Sequence, residues 1–226
     1  MDGILAGMLV AAPFGDAMLT GGDTTRSREG LVIDTMVIGA APGGSYVTRD
    51  GAQDGDVLLV TGSPGDAGAG LHAQEHGHDA PELLRALHRP VPRIKEGAWL
   101  AGRAGVHSMI DVSDGLAQDG GHIASASGLG LEFSLNDMPV SEQLQRYCGE
   151  HGLDARRMAL HSGDAYELAL AVDAARANTL VAEFESAFDC TLTAVGTFSK
   201  SFDGIRLDGA PLDAGGFDHF RVKHGD

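Results

Sequence analysis

The chain has 226 residues, with 32 acidic side chains against 16 basic ones and a formal net charge of −16. That balance excludes a protein that clamps a nucleic-acid backbone, since neutralising phosphates requires Lys and Arg. The 43% apolar content excludes a disordered chain, and the 33 glycines follow no three-residue period, which excludes collagen.

Residues 3–14 form an apolar run too short to span a bilayer, preceded by Asp2 rather than a basic segment and interrupted by Pro13 and Asp16. It reads as an ordinary amphipathic helix within residues 1–20, ending in a turn at Phe14-Gly15-Asp16, with a short strand at 17–20. The tight polar loop Gly21-Gly22-Asp23-Thr24-Thr25 follows, and then a β-branched strand at 31–38. Asp50-Gly51, Asp54-Gly55 and Asp56 punctuate a hairpin-like connection into a strand at 57–61. Helices are expected at 66–77, 81–88 and 94–104, a short strand opening at 109–110, and a helix at 116–127. Further strands are expected at 129–135, 166–172 and 191–196, and helices at 141–151 and 174–188. Strands and helices mix without regular alternation, so the expected fold class is α+β. The glycine- and aspartate-rich stretch at 50–56 marks a boundary, giving expected domains at 1–50 and 51–226. Cys148 and Cys190 form no C-x-x-C pair and fit a reducing compartment, so the expected location is cytoplasmic, with no membrane association.

Most Asp-Gly pairs are turns or caps, but two clusters ask for more. In Gly21-Gly22-Asp23-Thr24-Thr25-Arg26 the glycines allow close backbone approach to phosphate oxygens, and Asp23 can hold a hard cation. It is not a Walker A loop, because the spaced glycine and the lysine are missing. In Asp111-Val112-Ser113-Asp114-Gly115-Leu116 two carboxylates flank a hydroxyl between a strand and a helix. Asp114 reads as a helix N-cap, which explains one carboxylate and not two; the pair suits Mg²⁺ and a nucleotide phosphate. Arg49 reads by default as a solvated surface arginine, Asp164 as either a cap or a ligand, and Phe217 within Phe217-Asp218-His219-Phe220 as a packing anchor. His72, His76 and His78 look like a ligand cluster, but Gly77 breaks the helix there, which argues against zinc.

These motifs occur together and in order with Thr48-Arg49-Asp50-Gly51-Ala52, Gly55-Asp56, Val60-Thr61-Gly62, Gly68-Ala69-Gly70-Leu71, Pro92-Arg93, Asp119 and Gly121-His122-Ile123. With the C-terminal Gly216-Phe217-Asp218-His219-Phe220, the set resembles the thiamine-monophosphate kinase family of the aminoimidazole ribonucleotide synthetase-like superfamily. The resemblance implies a mixed, largely antiparallel sheet packed with helices in the C-terminal domain, behind a remnant of an N-terminal ATP-binding domain. It implies phosphorylation of thiamine monophosphate to thiamine diphosphate by direct transfer from ATP, with several Mg²⁺ ions. It implies ATP contacts at Gly22, Asp23, Arg49 and Ser113, and Mg²⁺ ligands at Asp23, Asp111 and Asp114. Asp164 and Phe217 would contact the thiamine substrate. Cations offsetting the repulsion of two approaching phosphates agree with the residue-level reading.

The chain departs from the family pattern where Asp164-Ala165 stands in place of a usual Glu-Asp, and where Gly120 replaces a usual leucine, a change expected to weaken that helix. Family members also carry a longer region ahead of the Gly-Gly-Asp-Thr motif, holding further metal-binding acids and the dimer sheet. The chain is therefore expected to lack most of the N-terminal domain, and with it the family's homodimer contacts. The alternative reading is a non-catalytic binding or assembly module of the same fold.

Overall fold

The computed structural model describes residues 2–11, 17–41 and 46–213. The chain divides into two units, Met1–Tyr46 and Val47–Asp226.

In the first unit, helix α1 (Asp2–Ala11) is apolar around its circumference rather than on one face, with Leu5, Leu9 and Val10 exposed. The strands expected at 17–20 and 31–38 are absent. Ladder hydrogen bonds come from a neighbouring strand, and no described residue forms a ladder with either segment. Val32, Met36, Val37 and Ile38 consequently stand exposed, Ile38 at 87%. β-Branched composition alone does not make a strand.

The second unit is built on a seven-stranded sheet ordered β2-β4-β1-β5-β3-β6-β7. Its strands are β1 (Val57–Thr61), β2 (Val106–Val112), β3 (Gly130–Phe133), β4 (Glu167–Val172), β5 (Leu192–Ser199), β6 (Ile205–Leu207) and β7 (Ala210–Pro211). All pairings are antiparallel except β3 with β6. The hairpin expected ahead of β1 does not form; β1 pairs instead with β4 and β5, far along the chain.

Side chains alternate across a strand, and β1 uses both faces. Leu58 and Val60 join a core with residues of α2 (Asp66–His76), α3 (Pro81–His88), α5 (Leu116–Ser127), α6 (Glu142–His151) and α7 (Ala155–His161). Leu59 joins a second core with Leu100 of α4 (Ile94–Ala101) and Ala177, Leu180 and Phe184 of α8 (Ala174–Ala187). Burial on both faces is why the β1 sequence is a continuous apolar run rather than an alternating one.

Beyond ragged ends, the expected helices and strands of this unit are present. Four elements were not anticipated: a 3₁₀ helix at Leu135–Asp137, α7, β6 and β7. Helix α7 is capped by Asp154, whose carboxylate accepts from the Arg156 and Arg157 amides at 3.0 and 3.1 Å. Gly120 carries a packing role. A Cβ there would lie 2.9 Å from Leu131 and 3.0 Å from Phe133, so α5 rests directly on the sheet where a leucine side chain has no room. Among the described residues, no helix is long and apolar enough to cross a membrane.

Candidate functional site

Strand β2 is the edge of the sheet, and its last residues lead straight into the Ser113-Asp114-Gly115 loop ahead of α5. The helix N-terminus is not capped by Asp114. The capping position falls on Gly115, and the acceptor comes from inside the helix. Asp119 reaches back so that Oδ2 accepts from the amides of Ser113 at 2.9 Å, Asp114 at 3.0 Å and Gly115 at 3.2 Å. The Gly115 amide is among the donors that a helix start leaves unpaired, and the other two belong to the loop ahead of it. Relieved of capping, Asp114 accepts, among the described residues, a 3.3 Å bond from Gln118 Nε2, which leaves lone pairs available. Burial raises the Asp119 carboxyl above its ordinary range; the Asp114 and Ser113 amides act against that shift, while the Asp114 charge adds to it.

Gly115 is required by the backbone. Its φ is 122°, and a Cβ would lie 2.7 Å from the His161 carbonyl oxygen. A second loop, 163–166, is stitched alongside. The Asp164 amide donates to the Ser113 carbonyl at 2.8 Å, and the Tyr166 amide donates to the Val112 carbonyl at 2.8 Å. Gly163 allows this approach, because a Cβ there would lie 2.6 Å from Ser113 O. Asp164 and Tyr166 both take positive φ, 59° and 51°, uncommon for residues with side chains. Such conformations are held by surrounding contacts and concentrate at functional sites. The Tyr166 hydroxyl donates to Asp164 Oδ1 at 3.3 Å. Burial pushes this phenol upward, and the charges of Asp164, Asp111 and Asp114 push it further, so three carboxylates gather around one ring.

Arg49 and Asp111 line one open cavity of about 640 Å³, together with Thr48, Met109, Ile110 and Leu168. Arg49 is exposed, as is Asp111. The structure therefore brings Ser113, Asp114 and Asp164 together through their loops, and places Arg49 beside Asp111. Gly22 and Asp23 lie in the first unit. There Asp23 Oδ1 accepts from the Thr24 amide at 2.8 Å and the side chain is exposed. Phe217 lies outside the described residues. Among the described residues, Asp114, Asp119 and His122 form the group of three whose potential ligand atoms lie within 4.8 Å of one another.

A neighbouring network was not anticipated. Glu167, at the start of β4, is almost fully buried and accepts from Arg93 Nε at 2.8 Å, Arg93 Nη2 at 2.7 Å and Thr61 Oγ1 at 2.5 Å. Thr61 Oγ1 accepts in turn from the Leu168 amide. The Glu167 bonds hold the Arg93 guanidinium more firmly protonated. Gly62, with φ 58°, leaves the space this carboxylate occupies. The network anchors β4 to β1 directly behind the loop that carries Asp164. The Pro92-Arg93 pair was visible in the sequence, but Arg93 and Glu167 are too far apart in sequence for spacing to pair them.

The loop at the sheet edge thus carries Asp111, Ser113 and Asp114, and comparison with known proteins gives the family of the chain. The chain belongs to the AIR synthase related protein family, whose C-terminal domain profile matches residues 53–206, and it has that domain's α+β fold. Within the family it is similar to thiamine-monophosphate kinases. It is 36% identical over 215 residues to the enzyme of Escherichia coli K12, a match covering 91% of this chain and 64% of that protein. Among solved structures it is similar to thiamine-monophosphate kinase from Stenotrophomonas maltophilia K279a, with TM-score 0.69 and 34% identity over 76% of this chain and 56% of the other. It is also similar to AaThiL complexed with AMPPCP and TMP, with TM-score 0.69 and 28% identity over 78% and 55% of the two chains. The chain thus spans less than two thirds of the length of these relatives.

Proposed function

We propose that the chain takes part in ATP- and Mg²⁺-dependent phosphorylation of thiamine monophosphate to thiamine diphosphate, by direct transfer of the γ-phosphoryl group. The observation that carries this reading is the β2–α5 loop. Asp119 ties down three successive amides, and Asp111 and Asp114 are left as carboxylates not consumed by the fold. Similarity to enzymes named thiamine-monophosphate kinase, and to a relative crystallised with AMPPCP and TMP, supports the choice of substrates.

The residues fit Mg²⁺. Asp111 and Asp114 offer hard oxygen donors three positions apart, and among the described residues Asp114 has one weak side-chain partner, Gln118. On this reading Asp111 and Asp114 each bind Mg²⁺ in the second unit, and Asp23 binds Mg²⁺ in the first. Bound Mg²⁺ supplies charge neutralisation between phosphate groups. The chain's own residues bind and orient. Ser113 presents its hydroxyl and Arg49 its guanidinium to the nucleotide, the arginine offsetting phosphate charge. Asp164, held at positive φ beside Ser113, contacts the thiamine substrate together with Phe217. Gly21 and Gly22 have no internal demand for glycine, since a Cβ at either meets nothing within 4 Å and neither has positive φ. That leaves the loop backbone open to close approach by the nucleotide's phosphates. Residues 1–50 belong on this account to a remnant of an ATP-binding domain and 51–226 to the C-terminal domain, in a cytoplasmic enzyme.

Incubating this chain with γ-labelled ATP, thiamine monophosphate and Mg²⁺ tests the reading. The same assay is run with the chain joined to the part of the Escherichia coli relative outside the match. Labelled thiamine diphosphate is expected, and its formation is expected to fail with D114N. Binding of thiamine monophosphate and ATP without transfer in either form would favour a non-catalytic module.

A further inference from the structure

Away from the β2–α5 loop, four imidazoles gather around one phenol. His72 and His76 lie one turn apart on α2, a spacing that stacks side chains on one helix face. Gly77 ends that helix in the left-handed conformation, but the cap does not disperse the cluster. The His78 amide returns to the Ala73 carbonyl at 2.9 Å, and the turn carries the His78 ring back beside His72. Helix α6 supplies Tyr147 and His151. Ring centroids are 4.0 Å apart for His72–His76, 4.0 Å for His78–His151 and 5.9 Å for His72–His78.

The hydrogen bonds fix where lone pairs are free. A carbonyl only accepts, so His76 Nδ1–H donates to the His72 carbonyl at 2.8 Å and His76 Nε2 is left bare. The Tyr147 oxygen lies 2.7 Å from His72 Nδ1 and 2.9 Å from His78 Nδ1. One phenolic proton serves one of these nitrogens. The other must donate its own, and that imidazole too presents a bare Nε2. Acids surround the cluster. Asp79, Glu82 and Glu150 line a cavity of about 270 Å³ against Tyr147, and the Glu75 charge acts on His72.

We infer that His76, His151 and whichever of His72 and His78 donates to Tyr147 form a binding site for a borderline divalent transition cation of the Zn²⁺ or Ni²⁺ class, with the remaining imidazole of that pair packed beside it. Neutral imidazole nitrogen is the preferred donor for such ions, whereas Mg²⁺ takes oxygen and does not compete. The Tyr147 hydroxyl and the His72 carbonyl are the outer partners that set the tautomers of the ligating rings. The rings are stacked rather than converging, and side-chain rotation of the exposed His76 and His151 brings their nitrogens onto one ion.

Titrating the full chain with Zn²⁺ in a large excess of Mg²⁺, by calorimetry near neutral pH, tests this. Saturable binding is expected. H76A is expected to weaken it by about tenfold or more, and Y147F, which keeps the ring and loses the tautomer-setting hydroxyl, by about tenfold. In the unaltered protein, Ni²⁺ is expected to broaden the imidazole NMR signals of these four histidines ahead of the others. Absence of saturable binding, equal Zn²⁺ affinity in H76A, or Ni²⁺ broadening that spares this group would overturn the inference. The NMR readout decides if H76A does not fold.

Discussion

Asp119 Oδ2 lies 2.9 Å from the Ser113 amide, and that contact anchors the three-amide grip that shapes the β2–α5 loop. The carboxylate is 2% exposed, so its loss cannot be made good by water. D119A leaves three donors without their acceptor, and an unsatisfied buried polar group costs about 1–3 kcal/mol. Urea unfolding near neutral pH should show a lower midpoint for D119A, and a smaller drop for D119N, which keeps one accepting oxygen.

The pH dependence has a definite sign. Burial raises the carboxyls of both Asp66 and Asp119 above their ordinary value, against opposing hydrogen bonds from Ser141 and Gln143 to Asp66 and from the Asp114 and Ser113 amides to Asp119. A raised acid binds its proton more tightly in the folded state. The stability it contributes is complete below the ordinary carboxylate pKa and is lost as pH rises through the raised value. D66N should therefore gain stability relative to the unaltered chain as pH rises across that window. A relative loss over the same window would contradict this assignment.

Glu167 and Arg93 form the buried pair behind the substrate-side loop, with side chains 10% and 16% exposed. Removing one partner strands the other, and breaking such pairs costs about 3–5 kcal/mol. E167A should fall in this range by chemical denaturation. E167L combined with R93M should recover much of the loss, because an apolar pair removes the stranded charge.

Gly115 cannot accept a side chain without displacing the loop. G115A places a Cβ 2.7 Å from the His161 carbonyl at a φ of 122°. Strain of this kind costs about 1–3 kcal/mol. The account expects G115A to lower stability and also to weaken nucleotide binding, since the loop carrying Ser113 must shift. Unaltered nucleotide affinity in a folded G115A would separate the loop from the nucleotide.

The sheet and its helices were legible where local pattern and tertiary context agree. Strand β1 reads as a buried strand because both faces pack, and α5, α6 and α8 show apolar faces between clear end signals. Residues 31–38 have the composition of a strand but no partner among the described residues, and pairing is not a property of one segment. Helix α7 was missed although the Asp154 cap and the apolar Ala155, Ala159 and Leu160 were available as signals. At the site, Asp111, Ser113 and Asp114 stood out because their spacing is local. Asp119 resembles any acid in a first helical turn, and only the folded loop shows the three amides on its oxygen. The positive φ of Asp164 and Tyr166, and the Arg93–Glu167 pair, depend on contacts between distant segments and leave no local pattern.

The most direct measurement of the central claim is transfer of the γ-phosphoryl group from ATP to thiamine monophosphate. It compares the chain carrying D111N or D114N with the unaltered chain, each joined to the complementary part of the Escherichia coli relative. The account expects Mg²⁺-dependent thiamine diphosphate from the unaltered form and a loss of at least about a hundredfold from each variant, in line with removal of a charge-stabilising group. Turnover unchanged in both variants, or no turnover from the unaltered form, would contradict it.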